Sequence, residues 1–308
     1  MSKHTQAPGL TRRQFLCSTA CALAAAQMPA AGNTASTEPV IDIHQHTTYS
    51  GRTNDQLIAH QAAMGVTRTV LLPAGKYYGL DAECGRNDTV VELARQFPDK
   101  FVFFANEVPD LPEAEAEIRR YLKLGAIGIG EQKFRVSTDS PNFEKIAKIA
   151  EEFQVPILMH FQHGRYNTGI ENMHKTLEKY PKVNFIGHAQ TWWANVDAKH
   201  EQPVLYPTSK VTPGGITDKL LSDYPNMFGD ASAGSGLNFY KRDPDHAREF
   251  LKKHQDKLMY GSDCNDTLGR GLGCDGAQIM ANIRKLAPDK KAERKILYEN
   301  ARTLLKIS

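Results

Sequence analysis

Two histidines separated by one residue, His44 and His46, close an apolar segment that begins at Ile41. Side chains alternate between the two faces of a β-strand, so both imidazoles are expected on one face, one pleat apart. Two imidazoles on one face of a rigid element can bind a single metal ion. A lone His-x-His pair is more often a pair of surface or packing histidines, so its weight depends on other ligands that converge on it.

Three more metal-ligating side chains stand at the ends of other short apolar runs. His160, His188 and Asp263 each close a segment with the composition of a buried strand. Buried imidazole and carboxylate groups are unfavourable without partners, so packing alone does not explain their recurrence at strand ends. Together with the first pair, these residues indicate a site for a divalent metal.

Eight such runs, rich in Val, Ile and Phe, recur along the chain, mostly every 25 to 33 residues. Amphipathic segments with helical spacing lie between them, for example Phe143–Phe153. This alternation predicts a (β/α)8 barrel, or TIM barrel, formed by residues 36–308 as one domain. Functional side chains of such barrels lie at the carboxyl ends of the strands, where the candidate ligands stand. The predicted strands are Val40–Thr47, Val66–Pro73, Phe101–Val108, Ala126–Phe134, Val155–Phe161, Val183–Gln190, Met227–Ala233 and Leu258–Asp263.

An open doubly wound sheet is the alternative fold. It needs a glycine-rich phosphate-binding turn after its first strand, and the sequence has none there. Gly271–Gly276 does spell G-x-G-x-x-G, but it follows the last predicted strand, and we interpret it as a loop at the barrel mouth. The longest connection, from about Thr191 to Gly215, has the length of a lid or binding loop.

The arrangement of ligands on the strands resembles the amidohydrolase superfamily. The pattern is His-x-His on strand one, His160 on strand five, His188 on strand six and Asp263 on strand eight. The best match is the amidohydrolase-related branch, which contains hydrolases, lactonases and nonoxidative decarboxylases. The resemblance extends from Asp42 to the segment Tyr298–Leu305, and it is specific to the superfamily rather than to a substrate.

The resemblance implies a role for each matching residue. The expected ligands of a divalent metal ion are His44, His46, His160 and Asp263. Zinc suits this set best, with manganese, iron and cobalt as competitors. The ion would lower the pKa of a bound water and make a hydroxide nucleophile, and Asp263 would pass the water proton to the leaving group. His188 would polarise the substrate carbonyl or act as an acid, unless it only orients a ligand.

The end of strand four leaves the number of ions open, because Glu131 and Lys133 share a face there. Superfamily members with two ions carry a bridging carboxylated Lys or a Glu on this strand. If Glu131 or a modified Lys133 bridges, the site holds two ions and His188 binds the second. If the two residues pair with each other, or Lys133 binds a substrate carboxylate, the site holds one. One ion is favoured, because the amidohydrolase-related branch typically has one.

Substrate contacts are less well determined by the sequence. Lys133, His163 and Trp192 are candidates, with Arg52 and Tyr166 as further ones. Each of them can equally be an ordinary loop or packing residue, because loop shape decides which side chains reach a ligand.

Other polar residues are expected to have supporting roles. Asp230, Ser232 and Ser235 lie on or just after strand seven and are expected to form hydrogen bonds near the barrel mouth. Glu107, at the end of strand three, is expected to be structural or to support a metal ligand by hydrogen bonding. His60 lies in a helical segment and is interpreted as a surface or packing residue.

The favoured function is a metal-dependent hydrolase that activates water against a small ester, lactone or amide. One alternative keeps the site and changes the reaction to nonoxidative decarboxylation or hydration of a small carboxylic acid. A second alternative is an exported metal- or ligand-binding protein without turnover, and the complete set of motif residues argues against it.

Residues 1–35 have the pattern of a twin-arginine signal peptide. Arg12 and Arg13 precede an apolar run from Phe15 to Ala26, which is too short for a permanent membrane helix. We therefore expect the twin-arginine export machinery as a partner, a periplasmic or secreted location, and no permanent membrane anchor.

Without the three basic residues of that segment, the 38 Lys and Arg fall to 35, which equals the 35 Asp and Glu. A neutral mature chain offers no electrostatic case for nucleic acid, so the expected partners are a small-molecule substrate and, as in many relatives, a second copy in a homodimer. The mature part keeps Cys84, Cys264 and Cys274 without a Cys-x-x-Cys, which argues against a disulfide framework and a thiolate zinc site.

Overall fold

The computed structural model describes residues 38–75 and 84–307 of the chain. The expected signal peptide, with Arg12 and Arg13, lies outside the described residues. Within the described ranges, none of the helices has the length and apolar character needed to cross a membrane.

Eight parallel strands are present, and each lies within one of the eight predicted runs. Their residues are almost all buried, as expected for strands covered on both faces. Several residues that close the predicted runs, including His46 and Asp263, lie just beyond the paired strands, at the start of the connections. The strands are β1 (Ile41–Gln45), β2 (Arg68–Leu71), β3 (Phe101–Phe103), β4 (Ile129–Gln132), β5 (Ile157–His160), β6 (Phe185–His188), β7 (Met227–Ala231) and β8 (Leu258–Tyr260).

Two hydrogen-bonded sheets together make the barrel, with β1–β3 in one and β4–β8 in the other, in sequential order. One seam is closed at Ala105, whose N–H donates to the Gly128 carbonyl and whose carbonyl accepts from the Gly130 N–H, each at 2.9 Å. The other seam is closed where the Asp263 N–H donates to the His44 carbonyl at 2.9 Å. The sequential order and the parallel pairing confirm the predicted (β/α)8 barrel.

Helices occupy the connections between strands, as the amphipathic segments predict. The segment Phe143–Phe153 is confirmed as part of a helix, which the Ser140 hydroxyl caps by accepting the Phe143 N–H at 3.2 Å. The helices are α1 (Asn54–Met64), α2 (Asn87–Gln96), α3 (Ala114–Lys123), α4 (Pro141–Phe153), α5 (Met173–Lys179), α6 (Gln190–Ala194), α7 (Ile216–Asp223), α8 (Ala233–Arg242), α9 (Pro244–His254), α10 (Asp275–Leu286), α11 (Lys290–Arg294) and α12 (Asn300–Leu304). Short 3₁₀ segments are Tyr49–Gly51 and Ile170–Asn172, and Lys295–Glu299 is π-helical.

The long connection after β6 begins as helix α6, which buries its two tryptophans. Trp192 is 0% exposed and stacks on Phe161, with ring centroids 5.8 Å apart. A Cβ added at Gly187 would lie 2.5 Å from the indole, so glycine on β6 leaves the space that the ring fills. Trp192 was a candidate for substrate contact, and this location favours the packing interpretation instead.

Replacing Gly187 by alanine should destabilise the barrel, because the added methyl group overlaps the Trp192 indole. Overpacking of this kind typically costs about 1–3 kcal/mol. Denaturant unfolding of the mature chain measures the free energy of unfolding. Gly273→Ala is the matched control, because a Cβ added there meets no heavy atom within 4 Å. Equal stability of the two variants would contradict the close packing at Gly187.

Candidate metal centre

The two imidazoles at the end of β1 are each held through Nδ1. His44 Nδ1 donates to Asp230 Oδ2 at 2.6 Å, and His46 Nδ1 donates to the Leu72 carbonyl at 2.7 Å. Both rings are buried. A proton on Nδ1 leaves the Nε2 lone pair free, which is the state that a metal ligand needs.

Four side chains converge beyond the end of β1, and we call them the first ligand group: His44, His46, Glu131 and Asp263. Glu131 Oε2 lies 3.6 Å from Nε2 of each histidine. Asp263 Oδ1 lies 3.7 Å from His44 Nε2 and 3.4 Å from His46 Nε2. Ligand atoms about 2.1 Å from a zinc-like ion, at tetrahedral angles, are separated by about 3.4 Å. The spacing of this group therefore fits one divalent ion.

Glu131 also belongs to a second ligand group, which His160 and His188 complete. Its Oε1 is 2.5 Å from His160 Nδ1 and 3.6 Å from His188 Nε2. His188 Nε2 is in addition 3.4 Å from Asp263 Oδ2. The predicted ligand His160 thus lies beside Glu131, in a different group from the two histidines of β1.

Three buried polar atoms without hydrogen bonds lie in the two ligand groups. Among the residues that the structure describes, His44 Nε2, His160 Nε2 and Asp263 Oδ1 are buried and lack a hydrogen-bond partner. Buried polar atoms are unfavourable when they are left unsatisfied. A cation within the first ligand group would satisfy two of these three atoms, so the residues present fit a divalent metal.

Asp230, at the end of β7, contacts one histidine of each ligand group on the side of the ring that carries Nδ1. Its Oδ2 accepts from His44 Nδ1 and, at 2.9 Å, from the Ser232 hydroxyl. His188 Nδ1 lies 2.8 Å from Ser232 Oγ and 3.3 Å from Asp230 Oδ2. The hydrogen bonding expected of Asp230 and Ser232 is confirmed. Ser235 differs, because its Oγ is buried and has no partner among the described residues.

The two carboxylates are kept ionised by the imidazoles around them. Burial alone would raise the pKa of Glu131, but His160 and His44 hold it well below its usual range. Burial also opposes ionisation of Asp263, and again the charge of His44, with hydrogen bonds from two further histidines, holds the pKa well below its usual range. Both groups are therefore anionic at neutral pH, as metal ligands must be.

The imidazoles respond in two different ways to the same surroundings. Burial would lower the pKa of His44, but Asp263 and Asp230 raise it well above its usual range. Burial lowers the pKa of His160, despite the attraction of the adjacent Glu131.

The donor types indicate which ions the site can bind. Anionic oxygens combined with imidazole nitrogens are a donor set that suits zinc, manganese and related divalent ions.

The candidate substrate contacts differ in how close they lie to these ligands. Lys133, just after β4, is partly buried, and its ammonium lies 5.8 Å from the centroid of the Tyr166 ring. Tyr166 packs against His160, with ring centroids 5.5 Å apart. His163 is exposed in the loop after β5. These positions favour Lys133 over His163 as a group that reaches a bound substrate.

Two side chains beside the metal centre were missed in the sequence, because neither closes an apolar run. The ring of Tyr49 meets His46 edge-on, with centroids 5.0 Å apart. The negative charge of Asp263 and burial raise the pKa of the Tyr49 phenol, which therefore stays protonated and can donate to that carboxylate. Cys84 also contacts His46: burial would lower the pKa of this imidazole, but Cys84 and Asp263 raise it to about 10.

A protein-family model described as Amidohydrolase matches residues 41–307. The chain belongs to this family. Members of the amidohydrolase superfamily are metal-dependent enzymes acting on small molecules, in agreement with the ligand groups described above. No curated protein matches the sequence with significant similarity.

Solved structures with similar folds include both hydrolases and decarboxylases. An uncharacterised TIM-barrel protein from Bordetella bronchiseptica has a TM-score of 0.64 at 16% identity, over 87% of this chain and 98% of its own. A probable 2-pyrone-4,6-dicarboxylic acid hydrolase from Acinetobacter baumannii has a TM-score of 0.59 at 17% identity, over 87% and 99%. A 5-carboxyvanillate decarboxylase from Novosphingobium aromaticivorans, with bound manganese, has a TM-score of 0.51 at 17% identity, over 82% and 80%. At these identities the likeness shows the shared fold.

Replacing Asp230 by asparagine should weaken metal binding by about 10- to 100-fold while the fold persists. The amide can donate to His44 Nδ1 and so move the ring proton to Nε2, where it blocks the ligand lone pair. Metal affinity is measured by competition with a chelator of known affinity. Asp289→Asn is the control, because Asp289 caps α11 by accepting the Ala292 N–H on one oxygen, and asparagine caps equally well. Unchanged affinity in Asp230→Asn would show that this carboxylate does not set the tautomer of His44.

Proposed function

We propose that this amidohydrolase is a metal-dependent hydrolase of a small ester, lactone or amide. The observation that carries the proposal is the position of Glu131, whose two oxygens face different ligand groups. A carboxylate in that position can bridge two ions, and paired ions about 3.5–4 Å apart are a recurrent device of hydrolytic enzymes.

The same observation bears on the number of ions. The family resemblance favours one ion, whereas the contacts of Glu131 support the alternative with two. In that alternative His44, His46 and Asp263 would hold the first ion, and His160 and His188 would hold the second once the direct contact of His160 with Glu131 opens. Zinc suits the donor set best, and manganese is the first competitor.

Bound divalent ions would supply an activated water and polarise the substrate carbonyl. The protein side chains supply the proton transfers. Asp263 is anionic, and its Oδ2 can take a proton and return it to the leaving group. The Tyr49 phenol remains protonated and can donate a hydrogen bond to a developing oxyanion.

An acidic substrate is supported by Lys133. Its ammonium is partly buried beside Tyr166, and its charge contributes to the lowered pKa of His160. A substrate carboxylate on that side would pair with the ammonium while its reacting carbonyl faces the ligand groups. A small lactone or ester that carries a carboxylate is therefore the substrate class we propose.

Decarboxylation or hydration of a small carboxylic acid is the second candidate. Lys133 supports it as well, because a cation beside the metal centre would orient a carboxylate in either reaction. Release of CO₂ from an aromatic or enoic acid, without hydrolysis of carboxylated lactones or esters, would favour this candidate.

Glu131→Gln tests the hydrolase proposal. The Glu131→Gln variant, purified without chelators, should contain about one equivalent of metal less than the mature wild-type enzyme and lose at least about 100-fold in kcat/KM for hydrolysis. Elemental analysis and a panel of carboxylated lactones, esters and amides provide the two measurements. Glu117→Gln is the control, because Glu117 is also a buried glutamate and lies on helix α3, outside both ligand groups.

Two results would contradict the hydrolase proposal. One is a Glu131→Gln enzyme with wild-type metal content and turnover. The other is a metal-loaded wild-type enzyme that hydrolyses none of the panel.

Export and assembly are part of the proposal. Arg12 and Arg13 support transport by the twin-arginine pathway to the periplasm, and family resemblance supports a homodimer. Replacing both arginines by lysine should leave the uncleaved precursor in the cytoplasm of the producing cells. Cell fractionation with immunoblotting measures this, with Lys3→Gln as the control. Export of the double variant to the same extent as the wild type would contradict transport by the twin-arginine pathway.

A further inference from the structure

A separate cluster of metal-ligating side chains lies behind the connection that follows β8. We call it the cysteine cluster: His60 on α1, Cys264 and Asp266 in the connection, and Cys274 at the start of α10. His60 and Cys274 are 0% exposed, and Cys264 is 7% exposed. One ligand atom from each residue lies within 4.8 Å of the others.

The distances within the cysteine cluster are those of a tetrahedral zinc site. The two sulfurs are 3.6 Å apart, and His60 Nε2 lies 3.3 Å from Cys264 Sγ and 3.5 Å from Cys274 Sγ. With zinc–sulfur bonds of about 2.3 Å and zinc–nitrogen bonds of about 2.0 Å, the corresponding edges are about 3.8 and 3.5 Å. Asp266 Oδ1 is hydrogen-bonded to His60 Nε2 at 2.8 Å, and an ion would replace this contact.

A disulfide explains less of this arrangement than a metal does. It would join two sulfurs now 3.6 Å apart, and it would give His60 and Asp266 no reason to converge on them. A zinc ion uses all four groups, and four protein ligands without an open position are typical of structural zinc sites. Among the described residues the cysteines are free thiols.

We propose that His60, Cys264, Asp266 and Cys274 bind a structural zinc ion that fastens the β8–α10 connection to helix α1. This site is distinct from the metal centre, and it stands whichever reaction the enzyme catalyses. The proposal departs from the sequence analysis, where the lack of a Cys-x-x-Cys argues against a thiolate zinc site. The spacing does not show the cluster, because the cysteines are ten residues apart and the histidine is 204 residues from the nearer one.

A zinc ion in the cysteine cluster would help to fix the backbone position of Asp263, the residue before Cys264. This residue has a φ of 43°, in the left-handed region that is unfavourable for most side chains. The backbone of the following residue is held by two hydrogen bonds. The Cys264 carbonyl accepts from Gln45 Nε2 at 3.0 Å and from Arg52 Nη1 at 2.9 Å. Arg52 Nη1 also donates to the Asp266 carbonyl at 3.0 Å. This guanidinium, a candidate for substrate contact, therefore binds the backbone of the β8–α10 connection.

Cobalt substitution of the mature enzyme tests the proposal. Cobalt bound by thiolates gives a strong near-ultraviolet charge-transfer absorption, which histidine and carboxylate ligands do not give. We expect this absorption in the wild type and its loss in Cys274→Ser, where the serine hydroxyl can still cap α10 by accepting the Ala277 N–H. The zinc content of Cys274→Ser should fall by about one equivalent.

Two controls separate the cysteine cluster from the metal centre. Cys84→Ser removes the thiol beside His46 and should retain the absorption. His44→Ala removes a ligand of the metal centre and should also retain it. Asp266→Asn is a second cluster variant of nearly unchanged shape, and it should weaken zinc binding and increase hydrogen exchange in residues 264–274.

Two outcomes would overturn the proposal. The first is unchanged absorption and zinc content in Cys274→Ser. The second is an intact mass of the wild type that is two hydrogens lighter than the reduced chain, with a Cys264–Cys274 peptide cross-link, because a disulfide leaves no thiolates for the ion. Failure of the hydrolase proposal would appear in turnover and in the difference in metal content between the wild type and Glu131→Gln, and neither of these depends on the cysteine cluster.

Discussion

The structure depends on the burial of two carboxylates, Glu131 and Asp263, among four imidazoles. Isolated ionised groups are strongly disfavoured in a protein interior, so these anions are tolerable only where imidazolium groups or metal ions compensate their charge. The barrel provides this by bringing side chains from five strands to one end. Asp230 and the Leu72 carbonyl accept hydrogen bonds from Nδ1 of His44 and His46, so that Nε2 of each ring faces the carboxylates, where a proton or a metal ion can lie between them.

The barrel could be predicted from the sequence because its strands are continuous apolar runs with turn or helix signals between them. Each run contains one of the observed strands. The candidate ligands could be predicted for a related reason, because an imidazole or carboxylate at the end of a buried apolar run is unusual there. The packing of Trp192 could not be predicted, since it depends on the space that Gly187 leaves for the indole on β6.

The grouping of the ligands could not be predicted, because it is a matter of distance across the barrel. His160 stands at a strand end as predicted, but its contact is with Glu131. Tyr49 and Cys84 reach the centre from connections, where sequence patterns are weak. The same holds for His60, which was interpreted as a surface or packing residue and is fully buried against two thiols.

The seam between β1 and β8 would give a metal ion bound to the first ligand group a role in folding. The first and last strands meet through the hydrogen bond from Asp263 to His44, and the first ligand group spans this junction. Ligands so far apart along the chain come together only after the ring of strands has closed, which makes their assembly a late event of high contact order. An ion that binds only the closed ring favours closure by about 2.7 kcal/mol at a hundred times its Kd. The availability of metal during synthesis would then decide how long the ring stays open to aggregation or proteolysis.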